Sequence, residues 1–313
     1  MKTVDVLGIG LNATDTLILV PGFPPYAGKV RFHREIVSPG GQVASALVAC
    51  ARLGLTTRYI ATIGDDERGR LQLESLGAAG VDIADVEARQ NCHTQTAYIL
   101  IDESNGERTV IWRRDDCLAL SPDRITEEKV ASARLLHIDA HDMAAVSKAA
   151  STARRLGIPV TLDVDTIHPG LETVLPYVDY LIASTAFPAK LTNESDPFQA
   201  LECIHRQYGM RVAAMTLGAD GALAVRDGHY LYSPGYVVDA VDTTGAGDVF
   251  HGAFCYSVIE NMPLLESLEF SNAMAALNCT ALGARGGIRT LAEVLAFRAS
   301  GPRRSNPAFE KRV

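Results

Sequence analysis

Leu135-Leu136-His137-Ile138, Val160-Thr161-Leu162, Val178-Asp179-Tyr180-Leu181-Ile182 and Val212-Ala213-Ala214-Met215-Thr216-Leu217 are four short, mostly apolar runs. The segments between them, Met143–Leu156, Leu171–Leu175 and Pro197–Tyr208, carry helical spacing. Apolar strands that alternate with helices predict a parallel sheet shielded on both faces. The expected fold class is α/β: a three-layer αβα, doubly wound and mostly parallel sheet. Downstream, the pattern predicts two hairpins near Gly221–Tyr232, then long helices over Gly245–Ile259 and Leu264–Leu282. From Ser300 a polar, Pro-containing tail predicts little order.

Upstream the rhythm differs. Strand patterns at Val4–Gly8, Thr16–Val20, Val30–Val37, Thr57–Ile63, Thr96–Ile101 and Arg108–Arg113 are interrupted by helical patterns only at Val43–Leu53 and Asp66–Ala79. The stretches 14–38 and 92–115 carry period-two patterns, such as Thr94, Thr96, Tyr98 and Leu100. They predict small strands lying off the main sheet. One domain over 1–297 with a β appendage, followed by a tail over 298–313, is the expected organisation.

Composition excludes several classes. The chain of 313 residues is 47% hydrophobic and 21% charged, which fits a folded core rather than a disordered or collagen-like chain. With 29 Lys+Arg against 37 Asp+Glu the net charge is −8, so no nucleic-acid partner is expected. Ile36–Ala51, a long uncharged stretch, is too short and too polar to span a bilayer, so no membrane is expected either. The start of the chain lacks an apolar block of signal-peptide length, and a cytoplasmic location is expected. Cys50, Cys92, Cys117, Cys203, Cys255 and Cys279 form no C-x-x-C pair and are expected to be reduced thiols.

Two strings imitate phosphate sites. Gly8-Ile9-Gly10-Leu11-Asn12-Ala13 resembles a dinucleotide fingerprint, but the residues after it read as strand and not as the helix that fingerprint needs. Gly22–Lys29 misses the P-loop pattern by one residue and by a hydroxyl, and reads as a loop between strands.

Asp242-Thr243-Thr244-Gly245-Ala246-Gly247-Asp248-Val249-Phe250 is different, because a buried helix comes directly after it. Backbone N–H groups of Gly245, Ala246 and Gly247 at that helix start would bind an anion. Asp248 inside an anion site calls for a reason. As a cap it would be ordinary. As a general base, it would accept the proton of a hydroxyl attacking the γ-phosphate held by those amides.

The string at 242–253 resembles the C-terminal signature of the ribokinase-like (PfkB) carbohydrate kinases, and Gly40–Ser45 running on to Ala51–Gly54 resembles their N-terminal signature. Gly8–Asp15, Ile63–Asp66 with Gly69, Thr216–Gly221 and Gly283-Ala284 match collinear minor motifs. The resemblance implies an ATP- and Mg²⁺-dependent kinase acting on a primary hydroxyl of a sugar, weakly ketose-like. In it Asp248 is the base, and Gly245, Ala246 and Gly247 form the anion hole. Asp15, Gly40, Gly41 and Ser45 would bind the sugar, and Thr216, Gly218, Gly221, Thr244 and Asn278 the nucleotide. Asp242, Thr244, Gly283 and Gly287 would hold a monovalent cation such as K⁺. The β excursions would form a lid that also joins a homodimer.

Three departures stand out. Ser45 replaces a frequent Asn, the N-x-x-E motif is absent from Ala183–Pro188, and Gly287-Ile288-Arg289 replaces Ser-Ile-Pro. The absent Glu places the usual Mg²⁺ support in question. His251, Asn272 and the lid residues Lys29, His33, Trp112, Arg113 and Arg114 each have an ordinary packing or surface reading beside a site reading. A nucleoside kinase of the same fold and a silent sugar or nucleotide sensor remain the alternatives.

Overall fold

The computed structural model describes residues 3–313. Its strands are β1 (Val4–Ile9), β2 (Ala13–Val20), β3 (Arg34–Gly40), β4 (Thr57–Gly64), β5 (Asp82–Arg89), β6 (Thr96–Asp102), β7 (Arg108–Arg113), β8 (Ala133–Asp139), β9 (Val160–Val164), β10 (Tyr180–Ala183), β11 (Val212–Thr216), β12 (Gly221–Arg226) and β13 (His229–Pro234). The helices are α1 (Gln42–Arg52), α2 (Glu67–Ala78), α3 (Glu127–Ala131), α4 (Met143–Arg155), α5 (Phe187–Thr192), α6 (Pro197–Tyr208), α7 (Ala246–Ile259), α8 (Leu264–Asn278), α9 (Leu291–Ser300) and α10 (Pro307–Glu310).

Nine strands form the main sheet in the order β13-β12-β11-β10-β9-β8-β1-β4-β5. All pairs are parallel except β11–β12 and β12–β13, the two hairpins. The order reverses between β1 and β8, and a crevice opens at the carboxyl ends of strands at such a switch point. Here Asp139, ending β8, accepts the Leu11 amide at 2.6 Å just beyond β1. Helix α7 is apolar all round and therefore buried: Val249 and Ala253 pack against α8, while Phe250 and Phe254 pack onto the sheet. Gly252 lets α1 approach closely, because a Cβ there would come within 2.6 Å of the Ala49 Cβ.

The second sheet, β3-β2-β6-β7, lies apart from the first. Its register places Ser38, Asp15, Ala97 and Trp112 in one row on one face. The next rows on that face hold Leu17, Leu19, Ile99 and Ile101, which pack on Leu282 of the main body. The turn after β6 docks there too: Thr243 donates both its N–H (3.2 Å) and its hydroxyl (3.0 Å) to the Gly106 carbonyl.

Several expectations need correction. Leu171–Leu175 is not a helix but part of two 3₁₀ turns, Leu171–Thr173 and Leu175–Tyr177, since Pro176 cannot supply the amide a continuing helix requires. Strand β3 begins at Arg34 rather than Val30, and α8 ends at Asn278 rather than Leu282. Strand β5, whose acidic half-buried pattern hid it, went unread. The tail is ordered. Phe309 stacks against Phe198 and Tyr232, Arg303 lies 4.2 Å over the Tyr236 ring, and Arg312 pairs with Asp196 at 2.6 Å. Cys92 and Cys117 are joined as a disulfide, against the expectation that all six cysteines are free thiols. The two lie 25 residues apart in the chain, but the β6–β7 hairpin between them folds back and brings them together.

Candidate active site

The loop before α7 is fixed by two side chains. Asp242 is fully buried, and its carboxylate accepts the amides of Thr244 and Gly283, both at 2.8 Å. Asn278 donates to the carbonyls of Thr244 (3.3 Å) and Ala284 (3.1 Å) and accepts the Gly287 amide at 3.1 Å. Asn278 is thus a buried tie between two loops. It does not line the nucleotide cleft, a correction to its expected role, because its polar atoms are all spent on backbone.

Gly245 caps α7 with φ +73°, and a Cβ there would be driven into Ala284, 2.6 Å from its Cα. Only glycine fits such a left-handed, crowded position. The Ala246 amide bonds to Thr243 O at 3.3 Å, so the anion hole differs from the expected one. The amides of Gly245, Gly247 and Asp248 are the ones without a protein acceptor among the described residues. Gly247 faces open space, with nothing within 4 Å of where a Cβ would sit.

Ala246, Gly247 and Asp248 border a cleft of about 430 Å³. Thr216, Gly218 and Gly221 line one wall, and Asn272, Ala275 and Ala276 of α8 line another side. Asn272 is already tied to Ser233 by its Nδ2. His251 also borders the cleft, but its ring is held by the Gly247 carbonyl (2.8 Å) and the Ile182 carbonyl (3.2 Å), so packing is its role. Arg108 reaches in from the lid and donates to Thr243 Oγ1 at 2.9 Å, a contact no local sequence pattern announces.

Asp163, Asp165, Ser184 and Thr185 border the same cleft, beside the stretch that lacks the N-x-x-E motif. Two carboxylates on β9 and its end supply oxygen ligands of the kind a hydrated Mg²⁺ uses. The loops around Asp242 likewise gather oxygens, among them the buried Thr244 Oγ1, which has no hydrogen-bond partner. That oxygen-rich set fits a monovalent cation.

The residues expected to bind sugar, Asp15, Gly40, Gly41 and Ser45, do not line this cleft. Asp15 abuts Gly40, where a Cβ would collide with its carboxylate. Gly41 has φ +93° and begins α1 beside Asn12. Ser45 is fully buried and its Oγ accepts from Arg285 Nε at 3.2 Å, so it faces that guanidinium rather than open cleft. Burial, then repulsion from Asp248, pushes the Asp15 carboxyl up to about 7. Burial raises Asp248 to about 6, against the pull of Arg108 and Arg285. Two neighbouring carboxyls with raised affinity for protons are suited to handling a hydroxyl proton.

The sequence profile described as pfkB family carbohydrate kinase matches residues 2–291. The chain is 31% identical to an ATP-dependent ribose-1-phosphate kinase of Halopiger xanaduensis, covering 90% of this chain and 94% of that one. It is 28% identical to a ribokinase of Haemophilus influenzae, covering 95% and 98%. A solved structure from Agrobacterium tumefaciens superposes with a TM-score of 0.88 at 29% identity, covering 95% of this chain and 97% of that one. An E. coli chain solved with ATP and Mg²⁺ shares the fold at a TM-score of 0.81 and 24% identity, covering 94% and 98%. The match over nearly the whole length agrees with a free-amide helix start beside a buried aspartate, and the chain belongs to the pfkB family of carbohydrate kinases, phosphotransferases with an alcohol acceptor.

Proposed function

We propose that the protein transfers the γ-phosphate of ATP to a primary hydroxyl of a sugar or sugar derivative. The observation that carries this reading is Asp248 on the first turn of α7 beside the free amides of Gly245 and Gly247, bordering the cleft and close enough to Asp15 for the two carboxyls to repel each other. The Asp248 carboxylate takes the hydroxyl proton as the sugar oxygen bonds to the γ-phosphorus. The bond from that phosphorus to the bridging oxygen then breaks, and ADP leaves. The helix-start amides and Arg108 counter the charge on the phosphoryl oxygens. Asp15 and the Gly40–Gly41 backbone orient the acceptor, and Thr216, Gly218 and Gly221 support the nucleotide. Asp163 and Asp165 would hold Mg²⁺, which would supply neutralisation of phosphate charge. Asp242, Thr244, Gly283 and Gly287 would hold a monovalent cation.

The lid's outer face bears Val37, Tyr98 and Ile111, all exposed, and is assigned as the contact of a homodimer. A nucleoside acceptor is the second reading, favoured by exposed Trp112, which shares a row with Asp15 and offers a stacking surface. The test is ADP release on pentoses, ketohexoses, sugar acids, sugar phosphates and nucleosides, with Asp248→Asn beside the wild type. Asp248→Asn should lower kcat by about 10²–10⁴ with its melting temperature unchanged or raised. Turnover equal to wild type would sink the mechanism, and ligand-induced stabilisation without turnover would favour the sensor.

A further inference from the structure

Arg285 lies between the Gly40 loop, α1 and α2, and is the least explained charge near the site. Its Nη2 donates to the Gly40 carbonyl (2.8 Å) and to Gln72 Oε1 (3.0 Å), its Nη1 to Ser75 Oγ (3.0 Å) and its Nε to Ser45 Oγ (3.2 Å). Four of five N–H donors are thereby used, and all four acceptors are neutral. Among the described residues no carboxylate lies within ion-pairing distance of it. Neutral dipoles hold a guanidinium in place without compensating its charge, and a buried charge lacking a counter-ion is costly.

The replacement of a frequent Asn by Ser45 is what makes room: a short hydroxyl accepts from Nε where a longer amide would occupy the same space. Tyr59, Asp15 and Asp248 are the titratable groups whose fields reach Arg285. Both carboxyls are assigned to the acceptor hydroxyl, and among the described residues neither comes within ion-pairing distance of Arg285.

We propose that Arg285 is a specificity-determining residue: the acceptor sugar carries a permanent anionic substituent, phosphate or carboxylate, and Arg285 is its counter-ion. The remaining Nη1 proton meets the anion, on a residue that is only partly buried as a whole. A neutral sugar leaves the charge uncompensated and binds less well. This inference rests on the sugar-kinase reading above and adds no chemical step to it.

The test compares matched substrates under saturating ATP: ribose with ribose 1-phosphate, fructose with fructose 1-phosphate, and 2-keto-3-deoxygluconate as the carboxylate arm. The wild type should favour an anionic substrate over its neutral counterpart by about a hundredfold or more in kcat/KM. Arg285→Gln, which retains hydrogen-bonding capacity without charge, should lose that factor on the anionic substrate, chiefly through KM, and far less on the neutral one. The phosphate and carboxylate arms identify which anion the site takes. Wild-type turnover that favours neutral sugars overturns the role of Arg285 while leaving the kinase reading intact. Equal losses on both members of a pair would make Arg285 a structural clamp and overturn it as well. Absence of turnover on every sugar and sugar derivative defeats the kinase reading, and this inference with it. Should Arg285→Gln fail to fold, the wild-type ratio decides alone.

Discussion

At the scale of single residues the site is a balance of buried charges. Asp248 must be ionised to accept a proton, and its carboxyl is raised to about 6 because burial outweighs the nearby arginines. A base with a raised pKa works above that value and is lost below it, so log kcat/KM should fall by about one unit per pH unit below about 6. Initial rates measured from pH 5 to 8 check this, and a flat profile from 5 to 7 would contradict the assignment. The helix start at Gly245–Asp248 is legible in the sequence because its residues are contiguous, but which of its amides stay free is not, since Ala246 is tied to Thr243. Arg285 and Arg108 were not legible either. Arg285 meets Ser45 across 240 positions and Arg108 meets Thr243 across 135, so no local pattern holds both partners. Asn278 was misread for the same reason: its residue type fits an adenine contact, but the fold consumes it on Thr244, Ala284 and Gly287.

At the scale of elements, the apolar pattern of α7 and the alternation of β8 to β11 with helices were strong enough to be read directly. Pro176 breaks an apparent helix, and β5 shows no apolar alternation because half-buried Asp82, Asp85 and Glu87 interrupt it while the exposed positions are alanines. The β6–β7 hairpin is held at its base by Cys92–Cys117, and beyond that by Arg114, which donates to Asp142 Oδ2 at 2.7 Å and to the Leu118 carbonyl at 2.9 Å. Cys117 is exposed and Cys92 buried, so an external thiol would reach the former. Closing a loop of this length contributes about 3 kcal/mol in the chain-entropy picture. Cys117→Ser should therefore lower the unfolding free energy from urea titration by up to about 3 kcal/mol, shifting the midpoint down, and raise the sugar KM as the hairpin loosens. Identical denaturation curves for the variant and the wild type would show that the disulfide contributes nothing.

At the scale of the whole molecule, two sheets divide the labour. The main sheet and α7 frame the cleft beside Asp248, and the small sheet brings Arg108 into it, while Asp15, on the same face of that sheet, abuts Gly40 outside the cleft's lining. Its other face exposes Val37, Tyr98 and Ile111, and Ile111 is 60% exposed. Burial of that face between two copies predicts a dimer by sedimentation velocity at micromolar concentration, and Ile111→Asp should convert it to monomer. A monomeric wild type would refute the contact.

The amino-acid sequence by itself determined the α/β class, the lid as a β excursion and the Gly-Ala-Gly-Asp helix start, since each is written in contiguous residues whose periodicity or spacing has a direct physical meaning. Tertiary structure alone decided which amides stay free, that the last residues pack instead of fraying, that two cysteines meet, and that a guanidinium stands against Gly40 and Ser45. Those outcomes depend on groups far apart in the chain, and whether a polar group there is spent or available is set by the partners that folding delivers to it.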